Sequence, residues 1–115
     1  MLQEISEAGT ASPLAVIKKT GPGRAGYMSF PMEGITLAVD LPNRSGTGKL
    51  LTKLNRMALD HGGRVYLAKD SSADRDTIAA MYSERDAYAE AVAQADPEAK
   101  FMSAMSARLD LRGRA

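Results

Sequence analysis

The chain has 115 residues, of which 44% are hydrophobic and 25% charged, with a formal net charge of +1. That is the composition of one small globular unit, without the basic footprint of a nucleic-acid binder. Two Phe, four Tyr and no Trp leave little for a base-stacking platform, the absence of cysteine excludes disulfides and thiolate chemistry, and the single histidine, His61, argues against a zinc or iron centre.

The start, MLQEISEAGT, is acidic and amphipathic and lacks the layout of a signal peptide. No apolar run approaches the roughly 20 residues that span a bilayer, so the expectation is a soluble, cytoplasmic chain. Leu2, Ile5 and Ser6 suggest a short helix that Gly9 ends. SPLAVIKKT follows as a strand, with Leu14, Val16 and Lys18 on one face and Ala15, Ile17 and Lys19 on the other. The connection GPGRAGYMSFPMEG carries G-x-G-x-x-G at 21–26. A dinucleotide site would need a helix to begin there and point its amino terminus at the pyrophosphate. Pro31 and the lack of helical period make it a turn-rich loop instead.

The next strand, ITLAVDLP, alternates Ile35, Leu37, Val39 and Leu41 against Thr36, Ala38 and Asp40, and Pro42 stops it. In NRSGTGKLLTKLNRMALDHGG, Leu50, Leu51, Leu54, Met57, Ala58 and His61 recur at helical spacing, and Gly62 and Gly63 supply the stop. Its GTGK falls short of a phosphate loop, which needs glycine at Asn43 and a hydroxyl residue at Leu50. His61, in the last turn, suits the helix dipole without a catalytic task.

RVYLAK reads as a third strand, completing a strand–helix–strand unit whose outer strands would run parallel. Tyr66 and Lys69 have opposite parity, so they share one site only if the strand twists or ends near Ala68. Beyond Lys69 the pattern is helical. Ser71 with Asp74, and Ser83 with Asp86, read as capping boxes, and Asp96 followed by Pro97 reads as the opening of a helix carrying Phe101, Met102, Met105 and Leu109. The seven methionines fall mainly at helical spacing and read as core filler.

The expected class is α+β: a small mixed sheet in the order β-β-α-β with one covering helix, then C-terminal helices. Such a sheet leaves strand edges and one face bare, to be covered by the tail helices or by another part of a longer polypeptide. Lys18, Asp40 and Lys69, charged residues on strands, are either solvated residues and ion pairs or the polar floor of a pocket for an anionic ligand.

LAVIKKTGPG, SFPMEGITLAVDLP, GTGKLLTKLNRMALDHGGRVYLAKDS and FMSAMSARLDL together resemble the C-terminal portion of the vanillyl-alcohol-oxidase type of FAD-dependent oxidoreductases, in particular its decaprenylphosphoryl-ribose oxidases. GRVYLAK is also similar to the GRPHWGK motif of the sugar-lactone oxidases, sharing Gly63, Arg64 and Lys69. The resemblance runs from the opening helix to about Leu111. It implies that residues 1–70 are a partial substrate (cap) domain and residues 71–115 a helical segment that packs on an FAD-binding domain absent from this chain.

It implies further that Lys69 is catalytic, lying near the N1/O2 edge of the flavin and the substrate, and that Tyr66 contacts FAD. Lys18 would reach the substrate with Val16 beside it on the pocket wall. Thr36 and Ala38 would face the ligand, where the resembled family has asparagine and cysteine. The implied activity is oxidation of a sugar or sugar-lipid alcohol by hydride transfer to flavin. FAD would not be held by this chain alone, and the chain alone would be inactive. The alternative is a stand-alone α+β module that binds an anion or a partner without redox activity. In either case bare apolar surface makes a homodimer plausible.

Overall fold

The computed structural model describes residues 1–10, 12–23 and 26–113; Arg24 and Ala25 of the GPGRAG stretch lie outside them. Helix α1 spans Leu2–Glu7 and buries Ile5, and the chain turns away at Gly9, whose φ of 60° is left-handed. An ion pair between Glu4 and Lys53 ties α1 to the long helix that follows the sheet.

Strands β1 (Ala15–Thr20) and β2 (Gly34–Val39) form an antiparallel pair in the register Ala15↔Val39 to Thr20↔Gly34. The Ser12 amide continues the pairing by donating to the Asp40 carbonyl at 3.0 Å. At the other end the Thr20 hydroxyl donates to the Met32 carbonyl at 2.8 Å, closing the root of the 21–33 connection.

Helix α2 (Thr47–Asp60) carries the amphipathic stripe that its sequence announces. Its end explains the paired glycines. The Gly62 amide donates to the Leu59 carbonyl at 2.9 Å and the Gly63 amide to the Ala58 carbonyl at 2.7 Å, the two bonds of a Schellman stop. Gly62 sits at φ 69°, and a Cβ on Gly63 would lie 3.0 Å from the Ala58 oxygen.

The third strand does not form. Residues 63–66 run irregularly and Leu67–Lys69 close a single 3₁₀ turn, so the sheet of the described residues has two strands, is wholly antiparallel, and makes no parallel strand–helix–strand unit. The apolar run of this segment is taken up elsewhere: Val65 and Leu67 pack on the helical core, and the Val65 carbonyl accepts the Tyr82 hydroxyl at 2.7 Å. With burial and hydrogen bonds satisfied there, the segment has no call for a strand neighbour.

The α+β class stands, with α3 (Arg75–Met81), α4 (Arg85–Ala95) and α5 (Ala104–Leu109) after the turn. Their starts differ from the sequence expectation. Asp74 itself caps α3, accepting the Thr77 amide at 2.8 Å and the Thr77 hydroxyl at 2.6 Å, and Ser71 takes no part in the cap. Helix α4 begins after Glu84 with no side-chain cap. Asp96 opens no helix. Its carboxylate accepts the Lys100 and Phe101 amides, each at 3.0 Å, and Ala99 adopts φ 51°, which no helix tolerates. Helix α5 starts instead from a Ser103–Ser106 capping box.

The core is Ala73, Ile78, Met81, Tyr82, Leu109 and Leu111, with Met28, Ala58, Leu59, Val65, Leu67, Tyr88 and Met105 packed against it. It draws on residues both before and after position 70, so the helical tail and the Lys69 turn share one interior.

Candidate functional site

Lys69 is placed by three successive devices. The Schellman stop of α2 reverses the chain, and Arg64 then fixes it. The Arg64 guanidinium donates to the Ser29 carbonyl at 2.9 Å, pairs with Glu84 at 3.5 Å and lies 5.0 Å over the Tyr82 ring. The 3₁₀ turn follows, with the Lys69 amide donating to the Tyr66 carbonyl at 3.0 Å. Tyr66 itself precedes the turn in extended conformation, at φ −76° and ψ 103°.

Tyr66 is 48% exposed, and its ring meets that of Phe30 with centroids 5.0 Å apart at 44°. Phe30 belongs to the β1–β2 connection, so this aromatic pair brings the loop end of the hairpin against the Lys69 turn. The Lys69 ammonium is exposed and has no hydrogen bond or ion pair with any described residue.

The hairpin register gathers the other four expected residues. Val16 faces Ala38 and Lys18 faces Thr36, and cross-strand partners share a face, so all four line one side of the sheet. Lys18 is exposed and likewise has no acidic partner among the described residues. The opposite side carries Ile17 and Ile35, 60% and 77% exposed, with Lys19 paired to Ile35. Asp40 contributes its backbone carbonyl to the sheet, as noted above.

Two open clefts of about 440 and 480 Å³ are lined by other side chains, among them Asp40 and Arg44 in one and Arg64 and Glu84 in the other. The described residues thus present two exposed groups: Tyr66 with Lys69 at the turn, and Val16, Lys18, Thr36 and Ala38 on one face of the hairpin. The described residues hold no group of acids and histidines able to bind a metal.

Behind Lys69 lies a part that the sequence did not announce. Asp70 is only 3% exposed at its side chain. One carboxylate oxygen accepts the Ser72 and Ala73 amides at 3.1 and 2.9 Å, and the other accepts Arg108 at 2.7 Å. Burial pushes this carboxyl up. The Arg108 hydrogen bond, the Ala73 and Ser72 amides and the Arg108 charge outweigh it and hold the group below the ordinary value. The partners are 38 residues apart, and a pairing at that distance leaves no local signal. Arg64 had one, its place in the GRVYLAK resemblance.

No protein-family model matches the chain. It is 38% identical over 111 residues to decaprenylphosphoryl-β-D-ribose oxidase of Mycolicibacterium smegmatis, covering 96% of this chain and 24% of that protein. It is 35% identical over 112 residues to an uncharacterized protein in the mprA 5′ region of Streptomyces coelicolor, covering 96% of this chain and 30% of that one. The chain therefore spans about a quarter to a third of the length of these relatives. Across almost all of its own length it is a homologue of a C-terminal part of decaprenylphosphoryl-β-D-ribose oxidase, and so an oxidoreductase-related segment.

Proposed function

We propose that this chain forms the substrate-side wall of an FAD-dependent oxidoreductase that oxidises a sugar or sugar-lipid alcohol, its flavin domain being its partner. The observation that carries the reading is the Lys69 ammonium. It is presented on a 3₁₀ turn next to exposed Tyr66, with no counter-ion among the described residues. Such a charge, left unspent by the chain, suits an anionic ligand edge. Its exposure suits a site completed by a second surface.

FAD, when bound, supplies the acceptor for hydride leaving a carbinol carbon. Lys69 offers a preplaced positive charge to the negative charge that then develops, an interaction with little cost of reorganisation. Tyr66 and Phe30 present an apolar, polar-tipped surface next to it. On the hairpin, Lys18 binds a hydroxyl or phosphate of the substrate as a point charge, without the bidentate fork an arginine would bring. Val16 and Ala38 keep the neighbouring surface apolar, and Thr36 offers a hydroxyl that can donate or accept.

The test uses the protein as its natural gene encodes it. A yellow product whose flavin is bleached anaerobically by a sugar alcohol agrees with the reading. In that protein Lys69→Ala should slow flavin reduction by about 100- to 1,000-fold, the scale seen when a comparable donor is removed, and weaken substrate binding far less. A colourless product, or a Lys69→Ala variant with normal reduction and only weaker binding, overturns the role. The bare wall itself favours a second reading, an anion- or partner-binding module without redox activity, and the colourless product is its signature.

A further inference from the structure

We infer that Arg108, on α5, is a positioning residue for Lys69, acting through the buried carboxylate of Asp70. The inference rests on the oxidoreductase reading above and adds to it the device that holds the lysine in place.

A three-residue 3₁₀ turn has poor hydrogen-bond geometry and cannot hold itself. Only the Lys69 and Asp70 amides, donating to the Tyr66 and Leu67 carbonyls at 3.0 and 3.1 Å, bind this one internally. The next side chain supplies the rest. Asp70 turns inward, 3% exposed, directly after exposed Lys69. Its two oxygens spread over the Ser72 amide, the Ala73 amide and Arg108. The other guanidinium nitrogen of Arg108 donates to the Ala73 carbonyl. One planar fork thus closes the loop 70–73 from outside, a task that a single ammonium could not perform.

The fork is itself aimed. Leu109, the next residue, is fully buried, and Asp110 closes α5 at φ 51° with its carboxylate near Arg75 at 3.2 Å and Arg85 at 3.6 Å. Helix α5 can therefore neither roll nor slide without breaking the core. Lysine has a long flexible stem, and the one part of it that a fold can fix is the backbone from which it starts. Asp70 and Arg108 fix that backbone, and neither needs to touch the ligand.

Coupling between Arg108 and Lys69 separates positioning from simple stabilisation. In the natural flavin-loaded protein, Arg108→Ala should lower the rate constant of flavin reduction by roughly ten- to a hundredfold, the scale of a small misplacement of a reacting group. The same replacement in a Lys69→Ala background should lower it by under about twofold, because the group being positioned is already gone. Equal losses in both backgrounds, or no loss in either, overturn the inference.

Arg108→Lys serves if the alanine variant does not fold, and should give an intermediate loss with the same non-additivity. Amide hydrogen exchange at Lys69 and Asp70 gives a readout free of the flavin. It should quicken in Arg108→Lys, while the Gly62 and Gly63 amides at the end of α2 stay protected. Quicker exchange in a protein without flavin keeps the clamp and removes the redox reading; unchanged exchange overturns the clamp whatever the flavin does.

Discussion

At the scale of single residues, Tyr82 shows how an irregular segment is made affordable. Residues 63–66 have no strand neighbour, so the Val65 carbonyl needs a donor from elsewhere, and a phenol 1% exposed provides it at 2.7 Å. Burial raises the Tyr82 pKa, so the hydroxyl keeps its proton and remains a donor through the neutral range. The ring meanwhile fills the core and carries the Arg64 guanidinium on its face. Two substitutions separate these roles. Tyr82→Phe should cost about 1–3 kcal/mol, the range for leaving a buried polar group unsatisfied. Tyr82→Ala should cost about 3–5 kcal/mol by adding a cavity. Urea unfolding with an unchanged slope would measure both, and equal losses for the two would mean that the hydroxyl, not the ring, dominates.

Elements differ in how much of them the sequence reveals, and the difference is physical. Helix α2 is legible because its apolar stripe and its glycine stop are both local. The hairpin is legible because alternation sets the face, and the face in turn gathers Val16, Lys18, Thr36 and Ala38. The 64–69 segment is not legible, because a strand is defined by its partner and this run found a helical core first. Its mismatch of parity between Tyr66 and Lys69 was the one hint. The Arg108–Asp70 contact, across 38 residues, was beyond any local pattern. Caps failed in a related way, since Ser and Asp close together offer more than one register. The structure chooses Asp74 for α3, and its carboxyl is held below the ordinary value first by the Thr77 hydroxyl and then by the Thr77 amide. Asp74→Ala should therefore cost about 1 kcal/mol, as loss of a cap does, while Ser71→Ala should lie within about 0.5 kcal/mol of the parent. Comparable losses at the two positions in urea unfolding would return the cap to Ser71.

For the whole molecule, the radius of gyration is 15.5 Å, against about 13 Å for a compact chain of this length. The accessible surface is 7992 Å², against roughly 6,100 Å² for a compact monomer of this mass. With so much surface left in water, hydrophobic burial contributes less than usual, and specific polar ties matter more. Among those of the tail are aspartate–arginine pairs: Asp70 with Arg108, Asp96 with Arg112, and Asp110 with Arg75 and Arg85. The Asp96 carboxyl is held low chiefly by the Phe101 amide, with burial opposing and the Lys100 amide and Arg112 adding to the depression. Asp70 and Asp74 are also held below 3.8. Between those lowered values and 3.8 the unfolded chain binds more protons than the folded one, so folding stability rises with pH across that window. The contribution is complete above about pH 5 and is lost as pH falls through the folded values. Urea midpoints for this chain should thus hold steady from neutral pH to about pH 5 and then fall below about pH 4. Asp70→Asn should be less stable at neutral pH, because it leaves Arg108 without its anion, and should lose less on acidification. If its pH profile runs parallel to the parent's, the Asp70–Arg108 tie has no part in the acid transition, which then rests on the Asp74 and Asp96 carboxylates.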